Sequence, residues 1–477
     1  MEKNLNMKTH PWEMDEKARL CRFLCFGSEG DIYTSREEVQ VSRESAEALL
    51  ALLEDGRGTD VVEVIAKYSQ DGRVVSMGPC LFALAVCSQH SDLKTRQAAF
   101  KAVKEVCQDP VCLFTFIKYK KELKDTESGI WGRALRKAVS NWYNGQNAMN
   151  LAVSVSKCKQ QNGWSHQDLL KLAHVKPAND GVALVCKYIM KGWNEVKTEY
   201  ADKENPEEVL KVLSYLEVVE KVKHCNDETE VITMIEEHLL EREQLLTDHL
   251  KSKNARIHPF SILVALENYK KGQGYQGKTK WETDSNIIHA MDSAFYKSFK
   301  YLEPVDKNFV IAVDISTSLS SIVPGTSLST AVAAAAITMV FASTEANTQV
   351  LAYSGGSLLP CTVAAGMTLE QVTAELVQTP SENTDCTLPM TWATENEKAV
   401  DVFIILTNNP IWAFSASPVE ALKKHRQRMG TFSKFVICGL TSIGHAVADK
   451  PDRGVLSICG FDLGAITLIQ NMALGLI

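Results

Sequence analysis

The 477-residue chain has no apolar stretch suited to crossing a membrane. Its most apolar run, Ala331 to Val340, is too short and too rich in alanine. The first residues, MEKNLNMKTHPWEMDEK, hold no apolar core, which argues against a secretory leader. Thirteen cysteines, an odd number, lack zinc-type pairing. Cys21 and Cys25 have no second Cys/His pair at metal-site spacing, so reduced thiols of the cytoplasm or nucleus are expected. No Gly-rich loop follows the strand that ends near Asp314, which disfavours a nucleotide-using enzyme. What is present is an ordinary soluble composition, 45% hydrophobic and 23% charged, long enough for two or three domains.

Charge is unevenly spread. The formal net charge is −7, yet Lys94 to Lys197 holds 18 Lys/Arg against 8 Asp/Glu, a local balance of +10. A basic segment inside an acidic chain is a candidate nucleic-acid surface. The bland alternative, lysines lining the solvated faces of helices, stands beside it. Two clusters are candidate phosphate contacts: Lys118, Lys120 and Lys121, then Arg133, Arg136 and Lys137 on one predicted helix. Trp142 and Tyr143, on that same helix, read as core.

Residues 1–41 form a polar lead-in, in which CRFLCFGSEGDIYTS reads as extended or turn-rich. From residue 42 to 304 nearly every segment has helical periodicity and no strand-like alternation interrupts it. SRESAEALLALLEDG stops at Gly56 and TDVVEVIAKYSQDG at Gly72, as helix ends should. Short helices with apolar stripes recurring pair by pair predict a HEAT-like solenoid; an irregular helical globule fits the same pattern. KKGQGYQGKTKW reads as a linker, since no strand precedes it.

Residues 305–477 alternate strand and helix. FVIAVD, TQVLAYS, DVFIILT and KFVICGL are strands so apolar that helices must cover both faces, which predicts a doubly wound parallel sheet. Asp314 ends the first strand and is followed by Ser316 and Ser318, an Asp-x-Ser-x-Ser pattern where open α/β sheets place ligands. Thr384 and Asn408 sit in other loops at the same end. One carboxylate with hydroxyl and carbonyl oxygens suits a hard cation such as Mg2+. No His, Lys or Cys base stands in these loops to activate a serine, so binding is expected rather than hydrolysis.

The C-terminal third thus resembles a von Willebrand factor A domain with its metal-ion-dependent adhesion site. Together with LRKAVSNWY, NGWSHQDLLKLAHVKP, ARIHPFSILVALENYK and DRGVLSICGFD, the chain resembles the TROVE family of Ro ribonucleoprotein autoantigens. The resemblance implies a ring of HEAT-like helices followed by the von Willebrand A domain, and a monomeric, non-enzymatic RNA scaffold. It implies Y RNAs on the outer surface and single-stranded ends of misfolded small noncoding RNAs in the central hole, in RNA quality control. It also assigns Y RNA contact to the histidine of LAHVKP, here His174, which Lys171 and Lys176 flank. The family has an aspartate where this chain has Asn408, which implies weak Mg2+ binding. Between LLTDHLKSK and ARIHPF the family carries further helices, so roughly one HEAT-type unit, on the order of 40 residues, is expected to be missing after Lys253. The alternative function is a protein-interaction module gripping a partner through the adhesion site.

Overall fold

The computed structural model describes residues 12–35, 40–124, 129–201, 204–225, 258–273, 280–315, 321–354, 357–364, 366–377, 385–408, 417–441 and 452–477. The expected deletion after Lys253 falls outside these residues. The chain divides into two compact units, one of Val41–Gly72 and Ser76–Ala255, the other of Met1–Gln40, Arg73–Val75 and Arg256–Ile477. The helices that follow residue 258 therefore group with the α/β unit, whereas the sequence reading drew its boundary at residue 304. No helix among the described residues is long and apolar enough to cross a membrane.

The described part of the lead-in opens with a helix rather than an extended segment. Asp15 caps helix α1 (Glu16–Phe26) by accepting from the Ala18 amide, and Gly27 ends it at φ 80°. A short strand, β1 (Ile32–Thr34), follows. These cap signals were readable in the sequence. They were masked by the two cysteines and two phenylalanines, which here turn inward: Cys21, Phe23, Cys25 and Phe26 are all buried.

The helical unit runs through α2 (Glu47–Glu54), α3 (Gly58–Gln70), α4 (Gly78–Cys87), α5 (Leu93–Val106), α6 (Pro110–Glu122), α7 (Arg133–Asn144) and α8 (Ala148–Lys157). A two-stranded hairpin, β2 (Gln160–Gln161) and β3 (Trp164–Ser165), interrupts it, contrary to the strand-free reading. Then come α9 (His166–Ala173), α10 (Asp180–Lys191), α11 (Trp193–Tyr200) and α12 (Glu207–His224). Each long helix turns one apolar stripe inward. In α7, for instance, Leu135, Ala138, Val139, Trp142 and Tyr143 are buried at helical spacing.

In the second unit α13 (Pro259–Lys270) packs on α14 (Ser285–Ser298), and Gln273 pairs with Lys280 at the base of the loop between them. The sheet consists of β1, β4 (Asn308–Asp314), β5 (Asn347–Ser354), β6 (Ser357–Cys361), β7 (Val402–Thr407), β8 (Lys434–Gly439) and β9 (Val455–Cys459). Their order is β1-β9-β8-β7-β4-β5-β6, all parallel except the β5/β6 pair. Period-2 alternation splits the sheet residues between two buried faces. Val310 and Ala312, Leu351 and Tyr353, Phe403 and Ile405, Phe435 and Ile437 share one face and one core. Helices α15 (Thr330–Thr344), α16 (Leu369–Leu376), α17 (Leu388–Glu395), α18 (Pro418–Met429) and α19 (Leu463–Leu474) complete the unit. The alanines of α15 let it approach β4 and β5 closely, and it is buried nearly all round.

Because β4 lies between β5 and β7, the connections leave it in opposite directions. This is the point where an open α/β sheet leaves a crevice at its strand ends.

Candidate functional site

Two places carry chemistry. The first is on the helical unit. Helix α6 starts at Asp109, whose side chain accepts from the Cys112 amide, with Pro110 in the first turn. Its buried stripe includes Phe116 and Ile117. Lys120 lies four and three residues on, so it falls on that same stripe. It is 6% exposed, and its ammonium donates to Ser88 Oγ at 3.0 Å. Burial pushes this ammonium down to about 8, with Lys124 adding like-charge repulsion. Lys120 therefore does not join Lys118 and Lys121 on the surface, which corrects the three-lysine cluster. Lys118 is half-buried, 3.9 Å from Glu122, while Lys121 is exposed.

Helix α7 places Arg133, Arg136 and Lys137 on its exposed face, opposite the buried stripe. Trp142 and Tyr143 are core: Trp142 Nε1 donates to Cys107 O, and the Tyr143 hydroxyl lies 2.6 Å from His166 Nδ1. His166, buried between that hydroxyl and Cys158 O, is held down to about 4 by desolvation, so it stays neutral at pH 7. Asn144 ends the helix and grips the loop beyond α9. Its Nδ2 donates to Lys176 O at 2.9 Å, and its Oδ1 accepts from the Ala178 amide at 2.8 Å.

Helix α9 opens with a reciprocal capping box between Ser165 and Asp168. It closes at His174, whose backbone is left-handed at φ 51° and ψ 47°. The His174 amide donates to Lys171 O and the Val175 amide to Leu170 O, a Schellman closure with histidine in the usual glycine position. The capping reading of His174 thus holds for its backbone, while its side chain is exposed together with Lys171 and Lys176. A non-glycine residue held at positive φ is worth a functional question.

The hairpin was missed, although Asn162-Gly163 is a strong local hairpin signal. Both residues have positive φ, 53° and 74°, as a primed turn requires. Helical periodicity on either side hid it.

The second place is the β4/β7 crevice of the α/β unit. Asp314 is fully buried at the end of β4, and Thr407 Oγ1 donates to its Oδ2 at 2.6 Å. Asn408 follows β7, and its Nδ2 donates to Thr330 Oγ1 at 2.8 Å. Ser316, Ser318 and Thr384, the other expected ligands, lie outside the described residues. Among the described residues no group of three His, Cys, Asp or Glu side chains could hold a metal ion. The oxygens gathered here, the Asp314 carboxylate with hydroxyls and an amide, are of the hard type that Mg2+ takes, and Asp385 is a second carboxylate whose charge, like that of Asp314, acts on Tyr353.

Family models match both halves: the TROVE domain over residues 3–253 and the Ro60 vWA domain over 308–473. The chain belongs to the TROVE family. Among its relatives in that family, RNA-binding protein RO60 of Caenorhabditis elegans is 27% identical over 571 aligned positions, covering 97% of this chain and 88% of the relative. The protein of the same name from Deinococcus radiodurans is 26% identical over 521 positions, covering 97% and 94%. Both alignments are longer than this chain, so each relative has positions with no counterpart here. The crystal structure of the Deinococcus radiodurans RO (RSR) protein superposes with a TM-score of 0.75 at 26% identity, over 97% of this chain and all of that one. The TROVE-type helical region followed by a von Willebrand A domain is therefore the architecture of this chain.

The buried lysine gives a test. Because Lys120 titrates near 8 when folded and in the ordinary range near 10 when unfolded, the unfolded chain binds the extra proton between those values. Stability should therefore rise with pH across that window, by on the order of 1–3 kcal/mol from this group. Lys120→Met should lose that rise in urea melts taken from pH 7.5 to 10, and should leave any RNA affinity unchanged. A variant with the native pH slope would show that the ammonium is not desolvated.

Proposed function

We propose that this chain binds RNA through the exposed face of the helical unit. The observation that carries the reading is α7 itself: its stripe of Leu135, Val139 and Trp142 is buried, so Arg133, Arg136 and Lys137 are all directed to solvent. Three cations on one face can neutralise successive phosphates, and the relatives' name supports RNA as the ligand. We infer further that the RNAs are Y RNAs on this outer surface and single-stranded ends of misfolded small noncoding RNAs, that the chain serves RNA quality control without catalysing a reaction, and that it works in the cytoplasm and nucleus. One feature supports the outer-surface contact: Lys171, His174 and Lys176 are exposed around a fixed helix end.

Replacing Arg133, Arg136 and Lys137 by alanine should weaken binding to Y RNA and reduce the slope of log K against log salt by about 2, since up to three fewer counterions are released. Filter binding over a salt series measures it. An unchanged slope would remove α7 from the interface.

His174 needs a substitution that respects its backbone. Glycine accepts the left-handed cap, whereas alanine there costs roughly 1–2 kcal/mol. His174→Gly should therefore keep or raise the thermal midpoint while Y RNA affinity falls by about 1–3 kcal/mol, the range of a charge-assisted contact. Native affinity in the glycine variant would leave His174 a capping residue only.

The crevice supports a secondary reading, a weak divalent-cation site for a protein partner. Asp314 and Asn408 would hold the ion, which when bound would offer a partner's carboxylate an open coordination position. Asn408→Asp adds the negative charge that the family has at this position and should tighten Mg2+ or Mn2+ binding in calorimetric titration. Equal affinity in the native chain would refute the argument from charge count.

A further inference from the structure

The hairpin β2–β3 carries surface chemistry that the phosphate contacts do not use. Trp164 is half-exposed at the start of β3, with the half-exposed Trp131 edge-on at 5.9 Å and 71°. The Lys121 ammonium lies 5.7 Å from its ring centroid. In the same unit Trp142, which serves the core, is 1% exposed. The hairpin is held as a rigid mount: its primed turn is fixed by Asn162 and Gly163, and Asn162 Nδ2 donates to Thr115 Oγ1 of α6 at 2.9 Å.

Beside Trp164 the hairpin walls a hollow of about 420 Å³, which is within the range of ligand sites. Its wall includes Gln160 and Gln161, and Gln161, paired across from Trp164, shares that ring's face with a side-chain amide able to donate and accept. It also includes Asp168, whose carboxylate accepts from the Ser165 amide and hydroxyl at 3.0 and 2.5 Å. A phosphate would meet that carboxylate and no cation inside the hollow. A flat, neutral, hydrogen-bonding group would meet an indole and the Gln161 amide, with Lys121 outside for the backbone.

We propose that Trp164 stacks an unpaired base of bound RNA, with the Gln161 amide, its cross-strand partner, meeting the base edge and Lys121 the adjoining phosphate. This rests on the RNA-binding reading and adds to it a preference for single-stranded, splayed-out nucleotides at this point. Duplexed bases present no free face to an indole, so the site discriminates by strandedness.

The experiment uses the full chain and two labelled 12-mers, single-stranded oligouridine and a blunt duplex RNA, in fluorescence anisotropy at low salt. Trp164→Ala should weaken single-strand binding about five- to hundredfold, the range for loss of one stacked base, and duplex binding less than twofold. Trp164→Phe should restore most of the loss, because it keeps a stacking face. Native single-strand affinity in Trp164→Ala would overturn the proposal, as would Trp164→Phe failing as badly as alanine with its thermal midpoint intact. A native chain that binds the duplex but not the single strand would overturn this proposal alone. One that binds neither would overturn the RNA reading with it.

Discussion

A buried guanidinium ties the start of this chain to its end. Arg22 is fully buried, and its nitrogens donate to Gly30 O at 3.1 Å, Arg453 O at 3.1 Å and Val455 O at 3.0 Å. Desolvation lowers its pKa to about 10, so it remains charged at neutral pH. Hydrogen bonds from a charged donor contribute more than neutral ones, and truncation would leave three carbonyls unsatisfied. The clasp makes β1 possible. A three-residue strand cannot hold itself to an edge, but with α1 anchored through Arg22 it pairs in register with β9, Ile32 against Ser457. A second buried cation strengthens the same end: Arg426 forms an ion pair with Asp452 at 2.9 Å, and Trp12 lies over its guanidinium at 3.3 Å.

The clasp also determines how the sequence is partitioned. The first forty residues and residues 256–477 form one unit, and most of what lies between them forms the other. Arg73–Val75 returns briefly to the first unit, where Arg73 O accepts from Asn471 Nδ2 at 2.7 Å and the Val75 amide donates to Cys25 O at 2.8 Å. In sequence terms, the helical region precedes the von Willebrand A domain, while the first forty residues and Arg73–Val75 group with the later unit.

What could be read from sequence divides along physical lines. Strands buried on both faces announce themselves by composition, so β4, β5, β7 and β8 were legible, and Asp314 falls at the end of β4 as its position after five apolar residues implies. The helices were legible from their stripes and glycine stops. The other three strands were not. β1 has three residues, β6 contains Pro360 and runs antiparallel, and β9 sits inside a longer motif; each gains its place from a partner distant in sequence, which local periodicity cannot report. Lys120 was misplaced for a related reason: charge suggested the surface, but its register with Phe116 and Ile117 placed it in the core. The hairpin turn could have been read, since Asn-Gly alone predicts it.

The surface chemistry of the helical unit is positioned by polar caps rather than by packing. Asn144 ties the end of α7 to the backbone of Lys176 and Ala178, the Ser165–Asp168 box fixes the junction of β3 and α9, and the left-handed His174 fixes the end of α9. Each cap satisfies backbone groups that a loop would otherwise leave to water. Each therefore orders a short connection whose neighbouring side chains are exposed. Loops held this way present charges and rings in one geometry, which lowers the ordering cost of binding an extended ligand. These caps fix the backbone at the two ends of α9, with Trp164 just before its start and His174 and Lys176 at and beyond its close. The α/β unit follows the other strategy. There the strand ends set the positions of Asp314, Thr407 and Asn408, and the rigidity comes from a sheet buried on both faces.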